Sequence, residues 1–463
     1  MLHLSLMSFS PIKITAPSII QRGFHTNQGP LSHRKLIEMV DKSITNMNPV
    51  TAIQREIRTE SDGNLSIAGH YLKKNQSIYS FGLGKVWQLN KGLFEATQSR
   101  FEKGLCITKT ETKLPSRIQT LISSHPHMSE LSQDEHPVSQ AIQFLQALPE
   151  EALLIIALSG GGTALGGYPN HELIEQFGFS NAMRLLAETN KALLESGIDI
   201  LMKNTVLQHL GILSGGGVTR LSGTKNIIAL AMSDVPEFHG DDYTSFSVIS
   251  SNPVLAPYPL DKVNRLIPEL ALPDPIKQYL NSKTDQDDHS VYDSVKTKII
   301  SSNRTLIDTL CQNLSHVTTK QTPVYESLRG EPEDMAALLA ANLEKMSEGS
   351  IEVHGGETAP KIPSEKGIGG RNLHTALAFA IAIDGKSGAG LFLGDLHDGN
   401  APVSGVYVDA NTVRKAKKLG LDPKKFLDAF DTYTFFYSLD PNCFYRISEE
   451  NPINVRDIAI IYK

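Results

Sequence analysis

The sequence predicts an α/β protein of two domains, with a mostly parallel sheet covered by helices. The first observation is that apolar, β-branched runs alternate with helical patterns along the chain. The second is that many of these runs end in glycine or a polar residue, as strands that lead into ligand-binding loops do. The third is the length of 463 residues, 40% of them hydrophobic, which suffices for two or three domains with sizeable cores.

Eight apolar runs have the length and composition of strands. They are residues 76–81, 105–108, 152–158, 226–232, 351–353, 390–393, 406–408 and 457–462. Between them, residues 182–195 and 333–346 have the apolar spacing of amphipathic helices. Leu194 belongs to the predicted apolar face of the first helix, and Pro332 stands near the start of the second.

Two stretches interrupt this alternation. Residues 253–294 are rich in Pro, Asn and Asp, and we interpret them as a surface connection. Residues 322–330 contain Pro323 and Gly330 and form the second interruption, where we place the domain boundary. The predicted organisation is an N-terminal extension over residues 1–34, a large domain over 35–322 and a smaller domain over 323–463.

Charge and composition exclude several classes of function. Lys and Arg number 44 against 50 Asp and Glu, a net charge of −6 without a long basic run, so nucleic acid is not expected as the main partner. The longest apolar stretches are too short to span a bilayer. Cys106, Cys311 and Cys443 lie far apart in the sequence, without the paired spacing of zinc sites or redox dithiols, so we expect no metal site formed by protein side chains alone. An odd and small number of cysteines is typical of proteins in a reducing compartment.

The N-terminal segment has a composition of its own. Up to Ile37 it has no Asp or Glu, while it carries Lys13, Arg22, Arg34 and Lys35 among scattered Ser and Thr. This composition is typical of a mitochondrial presequence, and it also suits a disordered or loosely docked arm. We therefore expect a cytoplasmic protein, or a protein of the mitochondrial matrix if the segment is a targeting signal.

Four glycine-rich segments are candidates for anion binding. They are residues 82–85, 159–164, 214–217 and 369–372. Glycine lets backbone amides approach an anion closely, and two of these segments carry a cation, Lys85 and Arg371. Trp87 stands where a dinucleotide fingerprint needs its third glycine, and Val86 follows Lys85 where a Walker loop needs Ser or Thr. The pattern therefore favours phosphoryl transfer at a phosphate-binding site that is neither a dinucleotide fold nor a Walker loop. Each segment taken alone also suits a tight turn.

Carboxylates follow two of the predicted strands. Asp234 comes after residues 226–232, and Asp395 and Asp398 come after residues 390–393. At strand ends, carboxylates hold magnesium or accept a proton from an attacking hydroxyl group, and their alternative role is to cap the next helix or turn. We expect His209, His354 and His397 to pack or form hydrogen bonds rather than bind metal.

These motifs, in this order and over nearly the whole chain after about residue 35, resemble the type II glycerate kinases. The matching segments include Gly84-Lys85, His125-Pro126, the loop 159–164, Asn204-Thr205-Val206, Gly215-Gly216, Ser233-Asp234-Val235, Gly355-Gly356-Glu357-Thr358, Gly369-Gly370-Arg371-Asn372, the Asp395/Asp398 pair, and Asn454-Val455 with Asp457. The resemblance implies a larger Rossmann-like three-layer domain, a smaller α/β C-terminal domain and an active site in the cleft between them. It also implies transfer of phosphate from ATP to D-glycerate with Mg²⁺, forming 2-phosphoglycerate.

The resemblance further assigns roles to individual residues. The implied catalytic residues are Lys85, Arg371, Asp234, Asp395 and Asp398. The implied nucleotide-binding or phosphate-binding residues are Ser159, Gly160, Gly161, Gly162, Thr163, Gly355, Gly356, Glu357 and Gly370. The implied substrate-binding residues are Asn204 and Asn372.

The chain departs from the family pattern at several positions. Leu207, Gln208 and Ser214 replace three cations of the family, and Glu449 and Glu450 add two carboxylates where the family has a glycine-containing loop. A site for anionic ligands loses affinity from such changes unless other residues compensate. A catalytically impaired, binding or regulatory protein with the kinase fold is therefore an alternative hypothesis. A hydroxy-acid oxidoreductase is a third hypothesis, and the missing dinucleotide fingerprint counts against it.

Overall fold

The computed structural model describes residues 33–62, 64–123, 131–198, 200–236, 239–240, 243–284, 289–318 and 320–463. Residues 1–32 of the predicted N-terminal extension and the His125-Pro126 match lie outside the described residues. Within them, no helix is both long and apolar enough to cross a bilayer.

The strands and helices are numbered in chain order. The strands are β1 (Ile57–Thr59), β2 (Leu65–Ile67), β3 (His70–Tyr71), β4 (Ile78–Leu83), β5 (Phe101–Thr108), β6 (Ile118–Ile122), β7 (Leu153–Leu158), β8 (Asn226–Met232), β9 (His239–Gly240), β10 (Tyr243–Thr244), β11 (Lys296–Ser301), β12 (Gln321–Leu328), β13 (Ile351–Gly356), β14 (Ala389–Leu393), β15 (Gly405–Asp409), β16 (Phe444–Tyr445) and β17 (Asp457–Tyr462). The α-helices are α1 (His33–Asn46), α2 (Pro49–Gln54), α3 (Gln88–Thr97), α4 (Pro137–Gln146), α5 (Gly162–Leu165), α6 (His171–Phe177), α7 (Phe179–Glu195), α8 (Ile200–Leu207), α9 (Gly217–Leu221), α10 (Leu260–Leu266), α11 (Asp274–Ser282), α12 (Asn303–Leu314), α13 (Pro332–Lys345), α14 (Arg371–Ala382), α15 (Thr412–Lys418), α16 (Pro423–Asp428) and α17 (Thr432–Leu439).

The first large sheet has the strand order β11-β8-β7-β4-β5-β6, and all its strand pairs are parallel. Every residue of β7 is buried, because helices cover both faces of the sheet. Alternate residues of β7 point to opposite faces, so Ile155 packs in a core with α1, α3 and α12, while Ile156 packs in a core with α4 and α9. This arrangement confirms the predicted three-layer α/β domain with a parallel sheet.

The second large sheet has the order β12-β13-β17-β14-β15-β16. Only its β12–β13 pair is parallel; the other pairs are antiparallel. One face of this sheet shares a core with α12 and the first sheet, and the other face packs against α13, α14 and α17. The last strand, β17, lies in the middle of the sheet, so the residues just before it are brought to the centre of the fold.

Both stretches that we predicted to lack regular structure, residues 253–294 and 322–330, contain helices or a strand, so these two predictions were wrong. Residues 321–328 form the edge strand β12, where Pro323 is tolerated because an edge strand needs fewer backbone donors. Residues 253–294 include α10 and α11, which pack with α6, α7 and α8 in a separate helical core. The chain leaves the first sheet at Ser301 and enters the second at Gln321, so the proposed boundary between residues 322 and 323 falls inside β12.

The predicted helices are present, with one error on the apolar face of α7. Leu186 and Leu193 are buried against the helical core, whereas the side chain of Leu194 is 68% exposed. Adjacent residues of a helix are turned about 100° from each other, so Leu194 cannot share the buried face fully with Leu193.

Candidate active site

A cleft of about 1700 Å³ lies where loops from the two large sheets meet. The first sheet contributes the segments that follow β4, β5 and β8, at the carboxyl ends of its parallel strands. The C-terminal part contributes the segments after β13 and β14, the start of α14 and the loop before β17. In open α/β sheets the carboxyl ends of the strands are the usual ligand-binding edge.

The first cation of the cleft is Lys85, which directly follows β4 and Gly84. Its backbone N–H donates to the carbonyl oxygen of Gly160 at 3.0 Å, and the N–H of Val86 donates to Ser159 Oγ at 3.0 Å. These bonds fix the loop while the Lys85 side chain extends into the cleft. Within the part of the chain that the structure describes, the Lys85 ammonium has no ion-pair partner, so it is available to an anionic ligand.

The glycine loop 159–163 lies behind Lys85 and Asp234 rather than at the cleft surface. A Cβ atom on Gly160 would lie 1.8 Å from Asp234 Oδ2, and one on Gly161 would lie 2.9 Å from Lys85 Cε. The Thr163 hydroxyl bonds to the Ser251 hydroxyl at 2.9 Å. The loop therefore allows Lys85 and Asp234 to pack closely against its glycines. Direct contact between residues 159–163 and a phosphate group stays a prediction.

The three predicted catalytic carboxylates all line the cleft, but their environments differ. Burial raises the pKa of Asp234, and the nearby charges of Lys85 and Arg456 partly oppose this. Burial also raises the pKa of Asp395, whose Oδ1 accepts the backbone N–H of Ile453 at 3.3 Å. Asp395 thus fastens the loop before β17.

Asp398 is the carboxylate that fits the alternative role of a helix cap. Its Oδ1 accepts the backbone N–H of Asn372 at 3.1 Å, and its Oδ2 accepts that of Leu373 at 2.8 Å. Both amides belong to the first turn of α14, whose orphan N–H groups need acceptors. Burial raises the pKa of Asp398 to about 6, while these hydrogen bonds lower it. The amides at this helix end are therefore already occupied by a carboxylate of the protein.

The second cation, Arg371, is held by carboxylates on both sides. Its Nη2 lies 3.0 Å from Asp457 Oδ1, its Nε bonds to Oδ2 of the same carboxylate, and its Nη1 bonds to Glu357 Oε1. Arg456 bonds through Nη1 to Glu326, and its Nε lies 3.8 Å from Glu357 Oε2. Burial raises the pKa of Glu357, and the charge of Arg371 opposes the rise. Glu357 thus links two guanidinium groups in one network.

The structure separates the remaining predicted site residues. Glu357, Gly370 and Asn372 line the cleft. Asn204 lies elsewhere: it is buried and donates through Nδ2 to the Val248 carbonyl oxygen at 2.8 Å, so its predicted substrate contact has no support in the geometry. Gly355 lies behind the cleft, where an ideal Cβ would come within 2.0 Å of Asn303 Oδ1.

Two segments that depart from the family pattern have different positions. Gln208 is buried; its Nε2 donates to the Ser247 carbonyl oxygen and its Oε1 accepts the N–H of Tyr258, both at 3.0 Å. The neutral side chain that replaces a family cation is thus satisfied inside the protein. Glu449 and Glu450, in contrast, line the cleft, so the two carboxylates added relative to the family pattern belong to the wall of the candidate site.

Sequence reasoning missed Arg456, which lines the cleft and forms ion pairs with Glu326 and Glu357. The residue stands alone in the sequence, without a glycine loop or a cationic neighbour to mark it. Its side chain is 9% exposed, and its backbone adopts a left-handed conformation with φ of 73°. Non-glycine residues in this conformation concentrate at functional sites, which is a signal visible only in the structure.

No group of three or more His, Cys, Asp or Glu side chains in the described ranges is arranged to hold a metal ion. Magnesium commonly binds through one or two carboxylates together with water and substrate phosphates. The described residues therefore do not form a complete magnesium site by themselves.

Comparison with known proteins identifies the family. Residues 35–281, more than half of the chain, match a family described as a domain of unknown function, DUF4147, and residues 351–453 match the MOFRL family. A D-glycerate 2-kinase of Thermotoga maritima is 25% identical over 452 residues, covering 93% of this chain and 98% of that protein. An Agrobacterium vitis protein that carries the name hydroxypyruvate reductase is 28% identical over 379 residues, covering 77% of this chain and 91% of that protein.

The fold agrees with these matches. The crystal structure of a glycerate kinase from Thermotoga maritima has a TM-score of 0.73 at 24% identity and covers 93% of this chain and 98% of that one. The DUF4147 match precedes the MOFRL match along the chain, and the two together cover most of it. Glycerate kinases are among the relatives whose similarity extends over nearly the whole chain. The chain therefore belongs to the type II glycerate kinase family.

Proposed function

We propose that this protein transfers the γ-phosphoryl group of ATP to a hydroxyl group of D-glycerate or a related small hydroxy acid. One observation carries the proposal: the ammonium of Lys85, which no ion pair engages among the described residues, lies beside the buried carboxyl group of Asp234, in a cleft that also contains Arg371. Phosphoryl transfer depends mainly on positioned charges and on a group that accepts the proton of the attacking hydroxyl.

In the proposed reaction, the acceptor oxygen forms a bond to the γ-phosphorus while the bond from phosphorus to the leaving ADP oxygen breaks. The ionised carboxylate of Asp234 accepts the proton that the hydroxyl group loses. Lys85 and Arg371 neutralise the negative charge of the transferring group. Arg371 is fixed by Asp457 and Glu357, so its guanidinium group needs little reorganisation before the reaction.

We propose that Mg²⁺ arrives with the nucleotide, because the described residues form no complete metal site. When bound, the ion neutralises charge on the ATP phosphates. The roles proposed for Lys85, Arg371 and Asp234 do not depend on which carboxylate it contacts.

Magnesium-dependent release of ADP from ATP, measured with and without D-glycerate, tests the proposal. We expect release that requires the hydroxy acid. Trp87 is the sole tryptophan of the chain and lines the cleft, so its fluorescence reports ligand binding independently of turnover. A folded protein that binds ATP and D-glycerate but releases no ADP contradicts the kinase proposal.

A binding or regulatory role is the second candidate function, and the position of Glu449 and Glu450 favours it. Both residues line the cleft, where their carboxylates oppose the binding of an anionic substrate and nucleotide. This role predicts ligand-dependent Trp87 fluorescence without turnover of any small hydroxy acid.

Oxidation of NADH in the presence of hydroxypyruvate tests the oxidoreductase hypothesis. Trp87 argues against this hypothesis, because it occupies the position where the dinucleotide fingerprint needs its third glycine.

Substitution of Gly160 by alanine is expected to lower kcat by about 10- to 100-fold, as a small misplacement of catalytic groups does. The new methyl group would occupy space 1.8 Å from Asp234 Oδ2, so the carboxylate has to move away from its place beside Lys85. Steady-state ADP release at saturating D-glycerate measures the effect.

Gly178→Ala is the matched control. Gly178 has φ of 74° and open space around its Cβ position, so alanine there strains the backbone without touching the cleft. We expect a lower melting temperature for this variant and an unchanged kcat at a temperature where it is folded. Wild-type kcat in Gly160→Ala would contradict the close-packing argument.

A further inference from the structure

Asn454 has a buried side-chain donor that forms no hydrogen bond with any other residue the structure describes. The residue is 7% exposed and lines the cleft just before β17. Within the described residues, its side-chain Nδ2 has no hydrogen-bond partner. Buried polar groups are nearly always bonded, and leaving one unbonded costs free energy of folding. An acceptor supplied by a ligand would remove this cost.

The unpartnered donor is adjacent to the proposed catalytic base. A Cβ atom built on Gly160 would lie 1.8 Å from Asp234 Oδ2 and 2.8 Å from Asn454 Nδ2. The carboxylate oxygen and the amide nitrogen therefore lie close to the same point of the glycine loop. The two atoms are therefore near enough to each other for one small molecule to bond to both.

The backbone around Asn454 is fixed in an unfavourable conformation. Its φ is 30°, and that of Arg456 is 73°. Asp395 accepts the N–H of Ile453, and Asn303 on α12 donates through Nδ2 to the carbonyl oxygen of Val455 at 3.0 Å. Strained residues persist only where such surrounding contacts hold them, and this is typical of ligand-binding positions.

We propose that Asn454 is a substrate-binding residue whose Nδ2 donates a hydrogen bond to a carboxylate oxygen of the phosphoryl acceptor. This inference rests on the proposed function. An α-hydroxy acid complements the two groups, because its hydroxyl donates to Asp234 while its carboxylate accepts from Asn454. The pair thus selects acceptors in which a hydroxyl and a carboxylate are adjacent.

Two substitutions remove the donor without requiring a new backbone conformation. Asn454→Gly deletes the amide at a position where a positive φ suits glycine, and Asn454→Asp keeps the shape but replaces the donor with an acceptor. We expect D-glycerate to bind about 10- to 100-fold more weakly to both variants, the effect of losing a hydrogen bond to a charged group. The KM for ATP should stay within about twofold of the wild-type value, since the donor contacts only the acceptor.

Calorimetric titration with D-glycerate in the absence of nucleotide gives the affinity, and steady-state ADP release gives the two KM values. Asn181→Asp is the matched control, because Asn181 is exposed on α7 and this substitution makes the same change of charge. The control should match the wild-type protein in both assays, and thermal melting should show that every variant is folded.

The outcomes separate this inference from the proposed function. If Asn454→Gly binds D-glycerate as tightly as the wild-type protein, or if its affinities for D-glycerate and ATP fall equally, the substrate contact is wrong even where the wild-type protein is an active kinase. If the wild-type protein binds D-glycerate without releasing ADP, the kinase proposal fails, and a selective loss of binding in Asn454→Gly still supports the contact. A wild-type protein that binds no small hydroxy acid overturns both.

Discussion

Substitution of Lys85 by alanine is expected to lower kcat for ADP release by about a thousandfold or more, the range found when a cation is removed from a transferring phosphoryl group. Lys85 is exposed to the cleft, and no ion pair engages its ammonium within the described ranges, whereas Arg371 is already shared between Asp457 and Glu357. The positive charge that Lys85 offers to a ligand is therefore not duplicated by Arg371. Single-turnover measurement of ADP formation with saturating D-glycerate isolates the chemical step.

Lys74→Ala is the control for this substitution. Lys74 is an exposed turn residue away from the cleft, and its replacement should leave both kcat and the melting temperature unchanged. Because Lys85 is solvent-exposed, Lys85→Ala should also melt at nearly the wild-type temperature. A Lys85→Ala protein that retains more than about a tenth of the wild-type kcat would contradict the catalytic role, since a transition-state cation cannot be worth so little.

The centre of the fold was predictable because its strands are buried on both faces. β7 and β8 are almost entirely apolar, and all eight predicted strands are present, six of them with shifted ends. The strands that sequence reasoning missed include β6, β11 and β12, which are edge strands of the two large sheets. β11 begins with three exposed residues, Lys296, Thr297 and Lys298, so its pattern lacks the apolar run that marks a central strand.

The candidate site was predictable only where a local motif marks a strand end. Lys85, Asp234 and Asp395 each follow a predicted strand, and the structure brings all three to the cleft. The partners of Arg371 were not predictable: Asp457 is 86 residues distant, and only the insertion of β17 into the middle of the second sheet brings it close. The capping role of Asp398 also depends on the tertiary contact between its loop and α14.

Unlike the exposed Lys85, Asp234 derives its proposed role from burial. Burial raises its pKa above the ordinary value of 3.8, which makes the ionised carboxylate a better proton acceptor. Asp234→Asn cannot accept the proton, and we expect kcat to fall by about 10²- to 10⁴-fold, the usual contribution of general-base catalysis. In the wild-type protein, kcat/KM should fall as the pH decreases through the raised pKa of this carboxyl, because only the ionised form is active.

The stability of the same variant distinguishes lost chemistry from lost structure. A carboxyl group whose pKa is higher in the folded state than in the unfolded state lowers stability once the pH rises above its unfolded pKa. Removing that charge in Asp234→Asn should therefore maintain or raise the melting temperature at neutral pH while activity is lost. Asp293→Asn, at an exposed turn, is the control and should change neither quantity. Strong destabilisation of Asp234→Asn would contradict the assignment of Asp234 as the base. The assignment would also be wrong if kcat/KM of this variant still fell at low pH as it does in the wild-type protein.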